Sequence, residues 1–210
     1  MTWLMGTVVV RIARSAFAAL GIAAIVSAVT ATTGSLGNFF SYFTIESNLL
    51  AIVVLIVGGL VNPQSQRWAY LRGAATLFMV ITGIVYAALL ANAEVGLTSP
   101  WVDDTLHRVI PVVMLVDWIL FSPWTRRPFL AALGWLLAPL AYFAYSLVRG
   151  PIAHWYPYPF LDPRHAGGYG RVALYAVVLA VAMGLLAVGV YAIGLRRAGA
   201  PGRHRVTSLS

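Results

Sequence analysis

Apolar residues run through this chain in long blocks, separated by short polar or proline-containing breaks. The blocks cover about 8–31, 38–61, 70–93, 103–122, 128–148 and 170–195. A helix needs about 20 mostly apolar residues to cross a bilayer core about 30 Å thick. The pattern therefore predicts an all-α bundle of six transmembrane helices forming one domain over residues 1–197. NPQSQ, SPW and RRP fall between blocks and supply the turn and proline chemistry that ends helices. The first block ends in SAVTA, which resembles a signal-peptidase site. Its length and the further blocks behind it favour an uncleaved first helix. Residues 198–210 are polar and basic and read as a flexible cytoplasmic tail.

Composition sharpens this picture. Of 210 residues, 60% are hydrophobic and 10% are charged, against about 25% charged in soluble domains. That leaves no soluble core to place. The chain lacks cysteine, which excludes disulfides, thiolate metal sites and a cysteine nucleophile. All 14 basic residues are arginine, and the formal net charge is +8. In a membrane protein that charge points to loops beside anionic lipid rather than to nucleic acid. Arg11, Arg14, Arg67, Arg72, Arg126, Arg127, Arg196, Arg197, Arg203 and Arg205 fall on one side if six spans alternate. The positive-inside rule then places both termini in the cytoplasm. No inverted repeat of the kind many transporters carry is visible.

Against this background a few polar groups stand out, because polar side chains in hydrocarbon are costly and are usually kept for function. The second block opens YFTIESNLL, with Thr44, Glu46, Ser47 and Asn48 at its mouth. The fourth holds His107, the single histidine within a block; His154 and His165 lie in an outer loop and His204 in the tail. At 1.5 Å per residue, Thr44 sits about 9 Å and His107 about 6 Å below the starts of their blocks. Both blocks enter from the outer face, so a hydroxyl and an imidazole share one depth. That pairing suits a nucleophile and its base. The plainer alternative for Thr44 is a bond to its own helix backbone.

Asp103 and Asp104 precede His107 by four and three residues, so either could orient the imidazole, or both could simply suit the helix N-terminus. Asn48 shares the Thr44 face and could serve an oxyanion or tie two helices together. Glu46 points about 200° away from Thr44; a buried pair with Arg108 is expected for it. Asp117 lies too far along the helix to reach His107 and is expected in the inner half, beside an arginine such as Arg72 or Arg126. The outer loop HWYPYPFLDP is either an interfacial aromatic belt or a lid over the same site.

Three of these stretches, YFTIESNLL, LHRVIPVVMLVDWILF and YPFLD, resemble the androgen-induced protein family in their order, spacing and membrane side. The resemblance covers essentially the whole six-span plan and points to a bacterial branch, hence the inner membrane. It implies a multipass hydrolase with an intramembrane threonine nucleophile and histidine base. Animal members cleave fatty acid esters of hydroxy fatty acids. Thr44 and His107 match the two catalytic positions, with Pro111 and Asp117 following the histidine. Tyr158, Pro159, Phe160 and Asp162 match the outer loop expected near substrate. Glu46, Ser47 and Asn48 depart from the more apolar animal context. The implied partners are a lipid substrate and the surrounding lipids, with no cofactor and no metal.

Rival classes are a transporter and a non-catalytic lipid-binding protein. A transporter needs polar residues continuing through the membrane, whereas the second and fourth blocks are apolar below the mouth apart from Asp117. A bis-histidine haem site, an HExxH zinc site and a GxSxG elbow all lack their residues. The absence of cysteine makes the topology easy to test. Single cysteines at Ser35 and Ser208 should be labelled from opposite sides of the membrane; labelling from one side contradicts the six-span arrangement.

Overall fold

The computed structural model describes residues 2–90, 99–122 and 128–198. Glu94, Arg126, Arg127 and the tail beyond Ala198 lie outside them. All regular structure among the described residues is helical. Helix α1 spans Thr2–Ala31, α2 Leu36–Phe39, α3 Phe43–Leu60 and α4 Gln66–Val85, which continues into a π-helical turn at Tyr86–Leu90. Pro100–Asp104 (α5), a second π-helical turn at Thr105–Val109 and Ile110–Phe121 (α6) form one unbroken helical run. Phe129–Leu133 (α7) passes through a 3-10 turn into Leu137–Ala153 (α8), and the short α9, Pro163–Ala166, precedes α10, Tyr169–Ala198.

Among the described residues, five helical stretches are long and apolar enough to cross a membrane: Thr7–Ala31, Phe43–Leu60, Gln66–Leu90, Phe129–Ala153 and Tyr169–Arg196. The molecule thus has the make-up of a multipass membrane protein. The run Pro100–Phe121 has the length but carries Asp103, Asp104, Arg108 and Asp117, which sets its composition apart.

The second apolar block differs from expectation. It is two helices with a break between them. The Phe40 amide closes onto the Leu36 and Asn38 carbonyls, ending α2. Tyr42 then takes extended backbone and α3 starts afresh at Phe43. Thr44 consequently lies in the first turn of α3 rather than deep within a longer helix.

α1 packs along α3, α4 lies against α3 and α6, and α10 closes on α4. Arg11 on α1 caps the far end of α3, its Nε donating to the Gly59 carbonyl at 2.7 Å and its Nη2 to the Leu60 carbonyl. The two helices therefore run antiparallel. Asn62 ends α3 in the left-handed region, with φ 49° and its amide bonded to the Val57 carbonyl at 2.8 Å. Gly83 brings α4 close to the helix of His107, since a Cβ there would lie 3.1 Å from Pro111 Cβ.

At the end of the bundle away from Thr44, one carboxylate gathers two arginines. Asp117 accepts Arg14 Nε at 2.7 Å and Arg72 Nη2 at 2.6 Å. Arg14 also donates to the Gly58 carbonyl and to Asn62 Oδ1, and Arg72 to the Phe121 carbonyl. The expected Asp117–Arg72 contact is present, and Arg14 joins it. Both guanidiniums are buried, and helix-end carbonyls absorb the charge that a single carboxylate leaves over.

The expected Glu46–Arg108 pair does not form. Arg108 bonds Asp104, one turn earlier in its own helix, and lies 5.3 Å over the Tyr86 ring. Glu46 is exposed on the outside of α3. Shared depth did not imply a shared azimuth, and Asp104 was already within reach.

Removing the Asp117 carboxylate strands two buried cations. Asp117→Ala should therefore destabilise the fold by about 3–5 kcal/mol, read as a lowered melting midpoint in detergent. A melt indistinguishable from wild type contradicts this role.

Candidate functional site

The site begins with a proline. Pro111 has no amide hydrogen to return to the His107 carbonyl, and its ring crowds that carbonyl. The helix widens just before it: the Ile110 amide bonds Thr105 across five residues, making the π-helical turn Thr105–Val109. His107 projects from this turn and is 6% exposed.

Its two ring nitrogens have different partners. Nδ1 lies 2.9 Å from Asp103 Oδ1 and 3.2 Å from the Asp103 carbonyl, both acceptors, so Nδ1 carries the hydrogen. Nε2 is left as an acceptor, and Thr44 Oγ1 lies 3.2 Å from it. Of the two candidate acids, Asp103 orients the imidazole. Asp104 turns outward to Arg108, in an ion pair with both side chains at least half exposed.

A residue without any sequence signal completes the histidine's surroundings. Tyr86, at the start of the other π-helical turn, stacks on the imidazole at 4.4 Å and 17°. Its hydroxyl donates to Asp103 Oδ2, so both carboxylate oxygens are engaged.

Thr44 is 5% exposed and meets a second hydroxyl. Tyr158 Oη accepts the Thr44 amide at 3.3 Å and lies 3.4 Å from Thr44 Oγ1. Ser47 binds Thr82 at 2.9 Å and fastens α3 to α4. Asn48 proves to be a tie between helices. Its Nδ2 donates to the Thr44 carbonyl at 2.8 Å and to the Leu106 carbonyl at 3.0 Å, so both amide hydrogens are committed. No hydrogen of Asn48 remains for a developing oxyanion.

The aromatic loop of residues 154–163 folds inward. Tyr158 and Phe160 are buried and stacked on each other at 5.3 Å, and Tyr42 meets both Tyr158 and Trp155 edge-on. Arg149 lies 5.2 Å over Trp155 while donating to Asn38 Oδ1 at 2.6 Å, which pins the loop to α2. Burial pushes the Tyr158 hydroxyl up to about 12, so it stays protonated at neutral pH. Pro159 is exposed and opens a 3-10 turn.

Asp162 does not face Thr44. It caps α9 through the Arg164 amide at 2.9 Å and binds the Arg164 guanidinium at 2.7 Å and His165 Nδ1 at 3.0 Å. Hydrogen bonds from Arg164 hold its carboxyl well below the usual range. Its contribution is to the shape of the loop that delivers Tyr158.

Two cavities meet at Thr44. The wider, about 240 Å³, is bordered by Thr33, Ser35, Asn38, Tyr42, His107 and Trp155. The narrower, about 40 Å³, runs between Phe43, Pro139, Phe143, Leu179 and Met183. Thr44 and Tyr158 border both. Among the described residues no group of three or more His, Asp or Glu side chains converges as a metal ion requires.

Comparison with protein-family models, curated proteins and solved structures finds no match to this chain.

The Asp162 clasp has a defined pH dependence. A carboxyl held lower in the fold than in the unfolded chain stabilises at pH values above the unfolded value, and the effect is lost as pH falls through the folded one. Amide exchange in residues 155–168, corrected for intrinsic rates, should therefore be flat from neutral pH down to about pH 5 and should quicken below about pH 4. Asp162→Asn should exchange faster already at neutral pH. Equal protection in the variant contradicts the clasp.

Proposed function

We propose that this protein is an intramembrane lipid-ester hydrolase of six spans, with both termini in the cytoplasm and its site in the outer half of the bacterial inner membrane. The observation that carries the proposal is the continuous chain Asp103–His107–Thr44, with each group in the role its hydrogen bonds permit. Thr44 and His107 both lie near the N-terminal ends of their helices and touch, so the two helices start on one side. That agrees with Pro100–Phe121 serving as a span in its own right. The likeness of YFTIESNLL, LHRVIPVVMLVDWILF and YPFLD to the androgen-induced protein family supports the same chemistry and favours fatty acid esters of hydroxy fatty acids or related lipids.

The steps follow from the geometry. His107 Nε2 takes the Thr44 proton as Oγ1 attacks the ester carbonyl. Asp103, held by Tyr86, positions the ring and stabilises the imidazolium. The oxyanion needs a donor beside Oγ1. Tyr158 accepts the Thr44 amide and stays protonated, so its own hydrogen is available for that oxygen. Collapse breaks the bond to the alcohol, whose oxygen leaves with the proton from Nε2. Water then attacks the acyl-threonine, giving its proton to Nε2, and Thr44 is regenerated with the free acid.

Turnover of long-chain esters by the purified protein in vesicles tests this. Thr44→Ala and His107→Ala should each lower kcat by about 10²–10⁴-fold. The double variant should be scarcely worse, because the two act as a unit. Thr44→Ser keeps the oxygen and should keep activity. Asp103→Asn should slow turnover while Asp104→Asn should not, and Tyr158→Phe should cost about 10²-fold. The rate should rise with pH as the imidazole becomes neutral and then level off. A folded Thr44→Ala protein that works at the wild-type rate contradicts the proposal.

A further inference from the structure

The two cavities are unequal, and their relation to His107 is unequal too. Thr44 and Tyr158 border both, whereas His107 borders the wide one alone. In the hydrolytic cycle, on which this inference rests, Nε2 must reach two things besides Thr44. It protonates the oxygen of the departing alcohol and later deprotonates the attacking water. Both must therefore stand on the histidine's side of the carbonyl.

We infer that the substrate lies across Thr44 with its alcohol half in the wide cavity and its acyl chain in the narrow one. The wide cavity has hydroxyl and amide groups in its wall, from Thr33, Ser35 and Asn38, and Trp155 of the outer loop forms part of its rim. Once the alcohol has gone, it is also the path by which water reaches the acyl-threonine. The narrow cavity is walled mainly by aromatic and aliphatic groups, and its volume of about 40 Å³ gives a few methylenes of an unbranched chain a passage between α8 and α10 while leaving no space for a branch. An occupant held there by apolar contact stays in place while the alcohol is exchanged for water. The substrate class is thus an ester of a straight-chain acid with a bulkier, more polar alcohol. Selectivity is strict on the acyl side and lax on the alcohol side.

An alkyl fluorophosphonate with a diazirine at the end of its chain reports this directly in the wild-type protein. Thr44 Oγ1 displaces fluoride from phosphorus, and the alkyl group then occupies the place of the acyl chain. Photolysis should crosslink Pro139, Phe143, Leu179 or Met183. Crosslinks to Thr33, Asn38 or Trp155 overturn the assignment while leaving Thr44 as nucleophile. No adduct at Thr44 overturns the hydrolytic cycle itself, and this inference with it. A parallel ester series should show kcat/KM falling at least tenfold for a methyl branch in mid-acyl chain and less than threefold for the same branch on the alcohol. The reverse order overturns the assignment.

Discussion

Hydrocarbon offers a polar side chain no solvent partner, so every such group must be satisfied by another part of the chain. Much of this bundle is organised by that demand. The cluster around Thr44 joins Asp103, His107 and Tyr86 to Thr44 and Tyr158, linking α3, α4 with its π-helical turn, the run Pro100–Phe121 and the loop that carries Tyr158. The cluster at the other end joins Arg14 and Arg72 to Asp117, linking α1, α4 and α6. Between them the helices meet through apolar cores, including Leu55, Met79, Ile110 and Met114. The two clusters hold the helices in one register, and the one around Thr44 has the hydroxyl, imidazole and carboxylate in the order that the proposed acyl transfer needs.

In the proposed function, preorganisation is what separates the cluster around Thr44 from an ordinary interhelical tie. The imidazole is fixed on one side by Asp103 and on one face by Tyr86, so it need not reorient as charge develops. Thr44 sits at a helix N-terminus, where the dipole favours an oxyanion. The π-helical turns are the backbone's contribution. One, forced by Pro111, swings His107 inward, and the other brings Tyr86 to meet it. Asn48 and Ser47, the other polar residues of the same stretch, have the structural task of fastening α3 to its neighbours.

Much of this was legible in the residues, and the exceptions have physical reasons. Thr44 and His107 could be paired because each lies within two turns of the N-terminal end of its apolar block, and the structure brings the two into contact. Asp103 and Asp104 could not be told apart, since positions four and three residues away share a helix face until a π-helical turn shifts the register. The break before Thr44 was hidden because FFSYF holds four aromatic residues around a single serine and carries neither glycine nor proline to mark it. Tyr86 was invisible because its role arises from contact between two irregular turns far apart in sequence. Arg14 looked like a flanking charge, yet its length carries it along α1 to Asp117. Glu46 and Arg108 were paired on depth alone, and depth does not fix where around a helix a side chain points.

The proposed cycle through Thr44 requires a covalent intermediate. Acid quench of the wild-type protein within one turnover of a long-chain ester, followed by peptide mass spectrometry, tests for it. An added acyl mass on Thr44, which vanishes as turnover completes, is the expected result. Undiminished ester cleavage with the acyl group on another residue, or with no acylated protein when water attack is made limiting, would contradict a threonine nucleophile here.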